Sequence, residues 1–270
     1  MKIHILGTGS AGVTQCYNTC FTIENNGEHF LVDAGGGNGI LRQLKKAKIG
    51  LPDIKNIFIS HTHIDHILGI IWVIRFKIDY MLLGKIENID VNVYGNDKVI
   101  DTVKQMCDLL LSGRHLKQFD KIHFHTIKEN DVETISGMQV RFFDTLEKQS
   151  QYGFDINDNF LVFSGDKPLA KENYDRFKNC EWFMHQASSL DREKEELETY
   201  KKGHVTVKDT AVIAQTIGAK NLIIYHTSDN SLATRKKDYT AEAKQFFNGN
   251  VFVPNDLETI EIKGDLHEGK

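Results

Sequence analysis

The sequence predicts a layered α/β fold, two sheets packed face to face with helices outside. Three observations predict it. Short apolar runs of strand length alternate with segments of helical spacing along the whole chain. No low-complexity linker, fixed-period repeat or composition break interrupts them, so the expectation is one domain over residues 1–270. With 270 residues, 40% of them hydrophobic and 26% charged, the chain can bury a sizeable core and has the composition of a globular protein.

Alternating apolar residues at 2–6, 20–23 and 29–32, separated by Gly and Asn-Asn-Gly, predict an opening antiparallel meander. Asp33-Ala34-Gly35-Gly36-Gly37 breaks it. The glycines lack the Lys-Ser/Thr of a nucleotide-binding loop and read as a tight turn into a helix near 40–47. Pro52 precedes a strand at 54–59, and Leu68, Ile71, Trp72 and Arg75 set the helical spacing of 67–78. Strands follow at 91–94, 121–127, 138–143 and 160–164, with a helix at 97–111. The alternation then repeats: strands at 182–185, 221–225, 250–253 and 259–262, and helices at 206–217 and around 239–247. The Glu- and Lys-rich stretch 191–202 reads as an exposed helix.

Composition narrows the function. A formal charge of −4 without a strongly basic stretch argues against a large nucleic-acid footprint. The first residues begin a strand at once, without a signal-peptide pattern, and no apolar run reaches the ~18 residues of a membrane span. Cys16, Cys20, Cys107 and Cys180 show no framework spacing and read as reduced thiols of a cytoplasmic protein, with no second Cys or His pair to make Cys16 and Cys20 a metal site.

The richest segment is His61-Thr62-His63-Ile64-Asp65-His66, directly after the strand at 54–59 and before a helix. Imidazole nitrogens and carboxylate oxygens suit a borderline divalent cation such as zinc, and a strand exit can aim several of them at one spot. Asp166, after the strand at 160–164 and Gly165, and His226, after the strand at 221–225, leave their strands in the same manner. Each would be costly to bury without a partner. With the early cluster they complete the ligand inventory of a binuclear site.

The order of these segments, with Lys202-Gly203-His204-Val205-Thr206 between them and Gly7-Thr8-Gly9-Ser10 at the start, resembles the metallo-β-lactamase superfamily. Within it, the chain is similar to ribonuclease Z and its near relatives. The resemblance implies an αββα four-layer sandwich with two divalent metal ions at one edge between the sheets. Zinc is the first expectation; manganese or iron are the alternatives. It implies His61 and His63 on one cation, Asp65, His66 and His226 on the other, Asp166 bridging, and His204 as proton donor to the leaving group. Where relatives carry a third histidine ahead of a Tyr-Gly or Phe-Gly strand, this chain has none. Counting back from Gly153, Glu147 fills the slot, with Asp144 as the near alternative; a carboxylate there shifts preference toward harder ions. His123 and His125, at period two on one strand, stay unassigned, and His185 is expected to support the ligands from behind.

The reaction implied is hydrolysis by a metal-bound hydroxide, Asp65 serving as ligand and as orienter or base. The ribonuclease-Z resemblance implies a phosphodiester substrate. The tRNA-processing relatives' Pro-x-Lys-x-Arg-Asn loop is here Val13-Thr14-Gln15-Cys16-Tyr17-Asn18, which keeps only the Asn, and their long RNA-gripping arm is missing. A small-molecule phosphodiester or short nucleic acid is therefore the expected substrate, acted on away from any membrane, with a homodimer carried over from relatives. A carboxylic-ester, lactone or thioester hydrolase is the alternative, and a catalytically silent metal-site binding protein the second alternative.

Overall fold

The computed structural model describes residues 1–145 and 151–263. Six strands open the chain: β1 (Lys2–Gly7), β2 (Cys20–Asn25), β3 (Glu28–Val32), β4 (Ile54–Phe58), β5 (Val91–Gly95) and β6 (Ile122–Thr126). The next seven are β7 (Val132–Ile135), β8 (Met138–Asp144), β9 (Tyr152–Ile156), β10 (Leu161–Phe163), β11 (Trp182–Gln186), β12 (Asn221–Tyr225) and β13 (Asn250–Phe252). The last, β14 (Thr259–Glu261), returns to pair antiparallel with β1. Two seven-stranded mixed sheets result, ordered β14-β1-β2-β3-β4-β5-β6 and β13-β12-β11-β10-β9-β8-β7. The opening meander is antiparallel as expected, and β3 to β6 run parallel.

Period-two alternation assigns each strand residue a layer. Phe30 and Val32 of β3 face the second sheet while Leu31 faces helices; Leu161 and Phe163 of β10 face the first sheet while Val162 faces helices. Between the sheets Phe58 meets Phe154 edge-on at 5.5 Å, and Phe21 meets Phe163 at 5.3 Å. Burying each such ring contributes roughly 1.5–3 kcal/mol. On the outer face of the first sheet lie α1 (Gly39–Ala47), then a short turn α2 (Ile64–Ile67), α3 (Ile70–Leu82), α4 (Asp97–Leu110) and α5 (Gly113–Leu116). Leu44, Ile74 and Val103 from α1, α3 and α4 close that layer. The second sheet is covered by α6 (Val207–Thr216) and α7 (Leu232–Ala243), through Ala211, Ala214, Tyr239 and Ala243. The architecture is the expected αββα sandwich.

Several boundaries differ from the sequence expectation. The segment 191–202 is not a helix; a single 3-10 turn, Asp191–Glu193, is followed by turns, because its charges leave no apolar stripe to bury. The helix expected around 239–247 runs from Leu232 to Ala243, its inner face closed by the buried Arg235 where an apolar residue would have signalled it. Strand β7, a short edge strand, was not anticipated; β9 stands where the resemblance implied a Tyr-Gly strand, and contains Gly153, where a Cβ would lie 2.4 Å from the Phe163 carbonyl oxygen. The helix after the histidine cluster splits at Gly69, where a Cβ would lie 1.9 Å from the Ala34 carbonyl oxygen. No helix among the described residues is long and apolar enough to cross a membrane.

Candidate metal centre

The ends of β3, β4, β10 and β12 converge at one edge of the sandwich, and each delivers a polar side chain there. After β4, Ser60 to His63 run extended into α2, which carries Asp65 and His66. After β10, Gly165 turns with φ +70° and presents Asp166; after β12, His226 itself adopts φ +55°. Three groups of donors form. His61, His63 and Asp166 have ligand atoms within 4.8 Å of one another, as do Asp65, His66 and His226, and also Asp166, His204 and His226. Asp166 and His226 thus lie beside the early cluster.

The spacing is informative. Asp166 Oδ2 lies 3.6 Å from His61 Nε2, 3.6 Å from His66 Nε2 and 3.5 Å from His226 Nε2. Asp65 Oδ2 is 3.4 Å from both His66 Nε2 and His226 Nε2. These distances are at or beyond the limit of a hydrogen bond. Two ligands each about 2.1 Å from one tetrahedral cation lie ~3.4 Å apart, so the donors sit at the spacing of a shared ion. His61 Nε2, His66 Nε2, His204 Nδ1 and His226 Nδ1 are buried with no hydrogen-bond partner. Buried polar atoms are rarely left so; the donor set fits divalent cations.

Charge reinforces the fit. Burial would raise the Asp65 carboxyl, but the adjacent His226 and His66 imidazoles outweigh it and hold it well below the usual carboxylate range. Burial likewise opposes ionisation of Asp166, and the neighbouring His61, His226 and His66 overcome it and hold it well below the usual range. Burial and the neighbouring His66 push His61 well down, and burial with His226 pushes His204 down to about 4. Burial disfavours charge on His66 too, yet the Asp33 carboxylate beside it holds it well above the ordinary value. Two ionised carboxylates faced by imidazole Nε2 atoms from three segments make a cation site.

Two contributors were not foreseen. Asp33, read from sequence as part of a turn, is fully buried with φ +53°. It accepts from His66 Nδ1 at 2.7 Å, from Ser60 N–H at 2.8 Å and from the Ser60 hydroxyl. Because that hydroxyl proton goes to Asp33, Ser60 Oγ accepts from His61 Nδ1 at 2.9 Å, which leaves His61 Nε2 to face Asp166. An acid at a strand exit ahead of a Gly run was the available signal. Gln151 is the other: its amide donates to Asp166 Oδ1 at 2.9 Å and lies 3.2 Å from His61 Nδ1. Nothing in its residue type distinguished it.

The remaining expectations separate. Glu147 lies outside the described residues. Asp144 ends β8 with its N–H on Glu129 and belongs to none of the donor groups found among the described residues. His125 stacks on Tyr94 at 4.6 Å and hydrogen-bonds Asn92, and His123 sits on the same strand β6, at the edge of the first sheet. His185 is fully buried; its Nε2 accepts from Leu169 N–H at 3.0 Å, so it anchors the loop that carries Asp166. Asn18, the residue retained from the RNA-processing loop, donates to the Ser10 carbonyl at 2.8 Å and closes its own loop.

Comparisons with known proteins agree with this geometry. A family model described as Anti-Pycsar protein Apyc1 matches residues 1–251. Ribonuclease Z of Archaeoglobus fulgidus is 22% identical, the alignment covering 98% of each chain. Ribonuclease Z of Methanococcus aeolicus is 35% identical over 61% of this chain and 45% of that enzyme. Among solved structures, the metallo-β-lactamase fold protein YhfI from Bacillus subtilis superposes with a TM-score of 0.76 at 18% identity, over 96% of this chain and 99% of that one. The short form of human tRNase Z gives 0.70 at 20% identity, over 97% and 100%. The chain belongs to the Anti-Pycsar protein Apyc1 family, and it is a ribonuclease-Z-like, metal-dependent hydrolase with the metallo-β-lactamase fold.

Proposed function

We propose that this chain hydrolyses the phosphodiester bond of a small nucleotide or short nucleic acid, at a centre of two divalent cations with zinc first and manganese or iron as alternatives. The observation that carries the reading is Asp166 Oδ2, 3.5–3.6 Å from three imidazole nitrogens that belong to different donor groups. His61, His63 and Asp166 would hold one cation; Asp65, His66, His226 and the shared Asp166 would hold the other. Cations bound there supply Lewis acidity, lowering the pKa of a water and neutralising charge on the phosphoryl oxygens.

The protein's own groups do the rest. Asp65 enters ionised and orients the attacking water or takes its proton. His204, at about 4, enters neutral at pH 7; a phosphate anion beside the ring raises it, and the imidazolium passes its proton to the departing oxygen. A cavity of ≈ 390 Å³ runs from His204 past Ser10 and Ser188 to Asp229, with Lys202 as its basic residue. That volume suits one small ligand. The neighbouring loop presents no cation, and the Thr14 and Gln15 N–H groups instead both donate to Asp229 Oδ2 at 2.7 Å. A long nucleic-acid backbone needs more Lys and Arg than this. The exposed leucines 82, 83, 109 and 110 at the ends of α3 and α4 support a homodimer, and the four unpaired cysteines support a cytoplasmic location.

The test is a parallel assay of protein loaded with zinc, manganese or iron on bis(p-nitrophenyl) phosphate, nucleotide diesters, short RNA, a lactone and a thioester. Phosphodiester turnover that disappears in His63→Ala and Asp65→Ala is expected. Cleavage of the lactone or thioester alone, or full turnover in either variant, overturns the reading.

A further inference from the structure

Arg235 of α7 is fully buried and forms no ion pair with any described residue. A guanidinium stripped of water without a carboxylate is costly and calls for a reason. Its hydrogen bonds supply one. Nη1 donates to the Thr227 hydroxyl at 2.6 Å and to the Thr8 hydroxyl at 3.0 Å; Nη2 donates to the Pro254 carbonyl at 2.9 Å and to Asn255 Oδ1 at 3.2 Å. Nε has no partner. The planar fork therefore ties together three segments: the end of β1, the residue after His226, and the chain between β13 and β14.

The negative charge is reached through Thr8. Its hydroxyl accepts from Arg235 and donates to Asp256 Oδ1 at 2.8 Å, and its N–H donates to the same carboxylate at 3.0 Å. Asp256 also accepts from Tyr17 N–H at 2.6 Å, and the Tyr17 hydroxyl donates to the carbonyls of Ala34 and Gly37 at 3.0 and 2.9 Å. Those carbonyls belong to the loop that leaves Asp33. One network thus runs from Thr227, beside His226, to the loop beside the carboxylate that orients His66.

What the network secures is His226, whose φ of +55° is uncommon for a residue with a side chain. Thr227 is pinned on three sides: its N–H donates to Thr8 O at 2.9 Å, its carbonyl accepts from Ser10 N–H at 3.0 Å, and its hydroxyl accepts from Arg235. We propose that Arg235, through Thr227, is a positioning residue that holds His226 aimed at Asp65 and Asp166 and so sets the affinity of the cation they share; this rests on the metal-centre reading above.

The experiment is calorimetric titration of zinc alone into metal-free full-length protein, wild type beside Arg235→Met, Arg235→Lys and Thr227→Val, with thermal unfolding of each metal-free chain. Unfolding of the metal-free chains separates a loss of stability, which removing one partner of a buried network can cause, from a loss of metal affinity. The expected result is that Arg235→Met and Thr227→Val stay folded but bind one of two zinc ions about 10–100-fold more weakly. Arg235→Lys, which keeps the charge and loses the fork, is expected not to rescue it. Thr227→Val retains the guanidinium and carries the test should Arg235→Met not fold. Wild-type affinity and stoichiometry in folded variants overturn this inference alone; a wild type that binds no divalent cation overturns it together with the metal-centre reading.

Discussion

Replacing Asp33 by Asn tests the site most sharply, because every polar group around that carboxylate is a donor. His66 Nδ1–H, Ser60 N–H and the Ser60 hydroxyl converge on its two oxygens at 2.7–3.0 Å. A carboxamide of the same shape has one oxygen, and its NH₂ must then face either the imidazole or Ser60, donor against donor. Losing one hydrogen bond to a charged acceptor costs about 1.5–3 kcal/mol. At about 1.4 kcal/mol per decade, metal affinity should fall roughly 10–100-fold, the range typical of groups that orient metal ligands. Both proposed cation positions should feel it, since Asp33 contacts His66 directly and His61 through Ser60. The assay is zinc affinity by competition with a chelator, alongside thermal unfolding of the metal-free protein. A variant less stable without metal yet binding zinc with unchanged affinity would show that Asp33 only supports the fold.

Three further outcomes are expected. His185, fully buried and held at about 4 chiefly by burial, stays neutral in the folded chain while the unfolded chain protonates near 6.5; the unfolded state binds more protons in that window, so stability of the metal-free protein rises with pH from about 4 to 6.5. One such group contributes up to about 1.4 kcal/mol per pH unit there, His185→Gln should flatten the slope seen in urea titrations, and an unchanged slope contradicts the assignment. His66 adds nothing to that window, since its raised value keeps it protonated in both states below 6.5. His204→Gln should lower kcat by roughly 10²–10⁴ on diesters with poor leaving groups and much less on p-nitrophenyl diesters; equal losses on both argue against proton donation. Gly69→Ala, with its Cβ 1.9 Å from the Ala34 carbonyl oxygen, should cost at least about 1–3 kcal/mol and weaken zinc binding, because the displaced loop is the one that leaves Asp33; a wild-type melting temperature would refute the contact.

The convergence of donors at the candidate centre was legible in the sequence because their types are rare together and strand ends fix their places: His61, His63, Asp65, His66, Asp166, His204 and His226 all stand at one edge of the sandwich. The layers were legible too, since period-two alternation in β3, β10 and β12 names the face of each residue. The two stretches that departed most lacked that signal: 191–202 is charged throughout, and the inner face of α7 is closed by an arginine. Only tertiary structure decided the rest. Gln151 and Arg235 are ordinary residue types in unremarkable local sequence, and His185, expected behind the ligands, had no partner named; each acquires its place from partners distant along the chain: Gln151 from Asp166, His185 from Leu169, Arg235 from Thr8 and Thr227. A ligand is announced by its own donor atom; a group that orients a ligand is defined by the partner it reaches, and that partner is fixed only when the sheets close on each other.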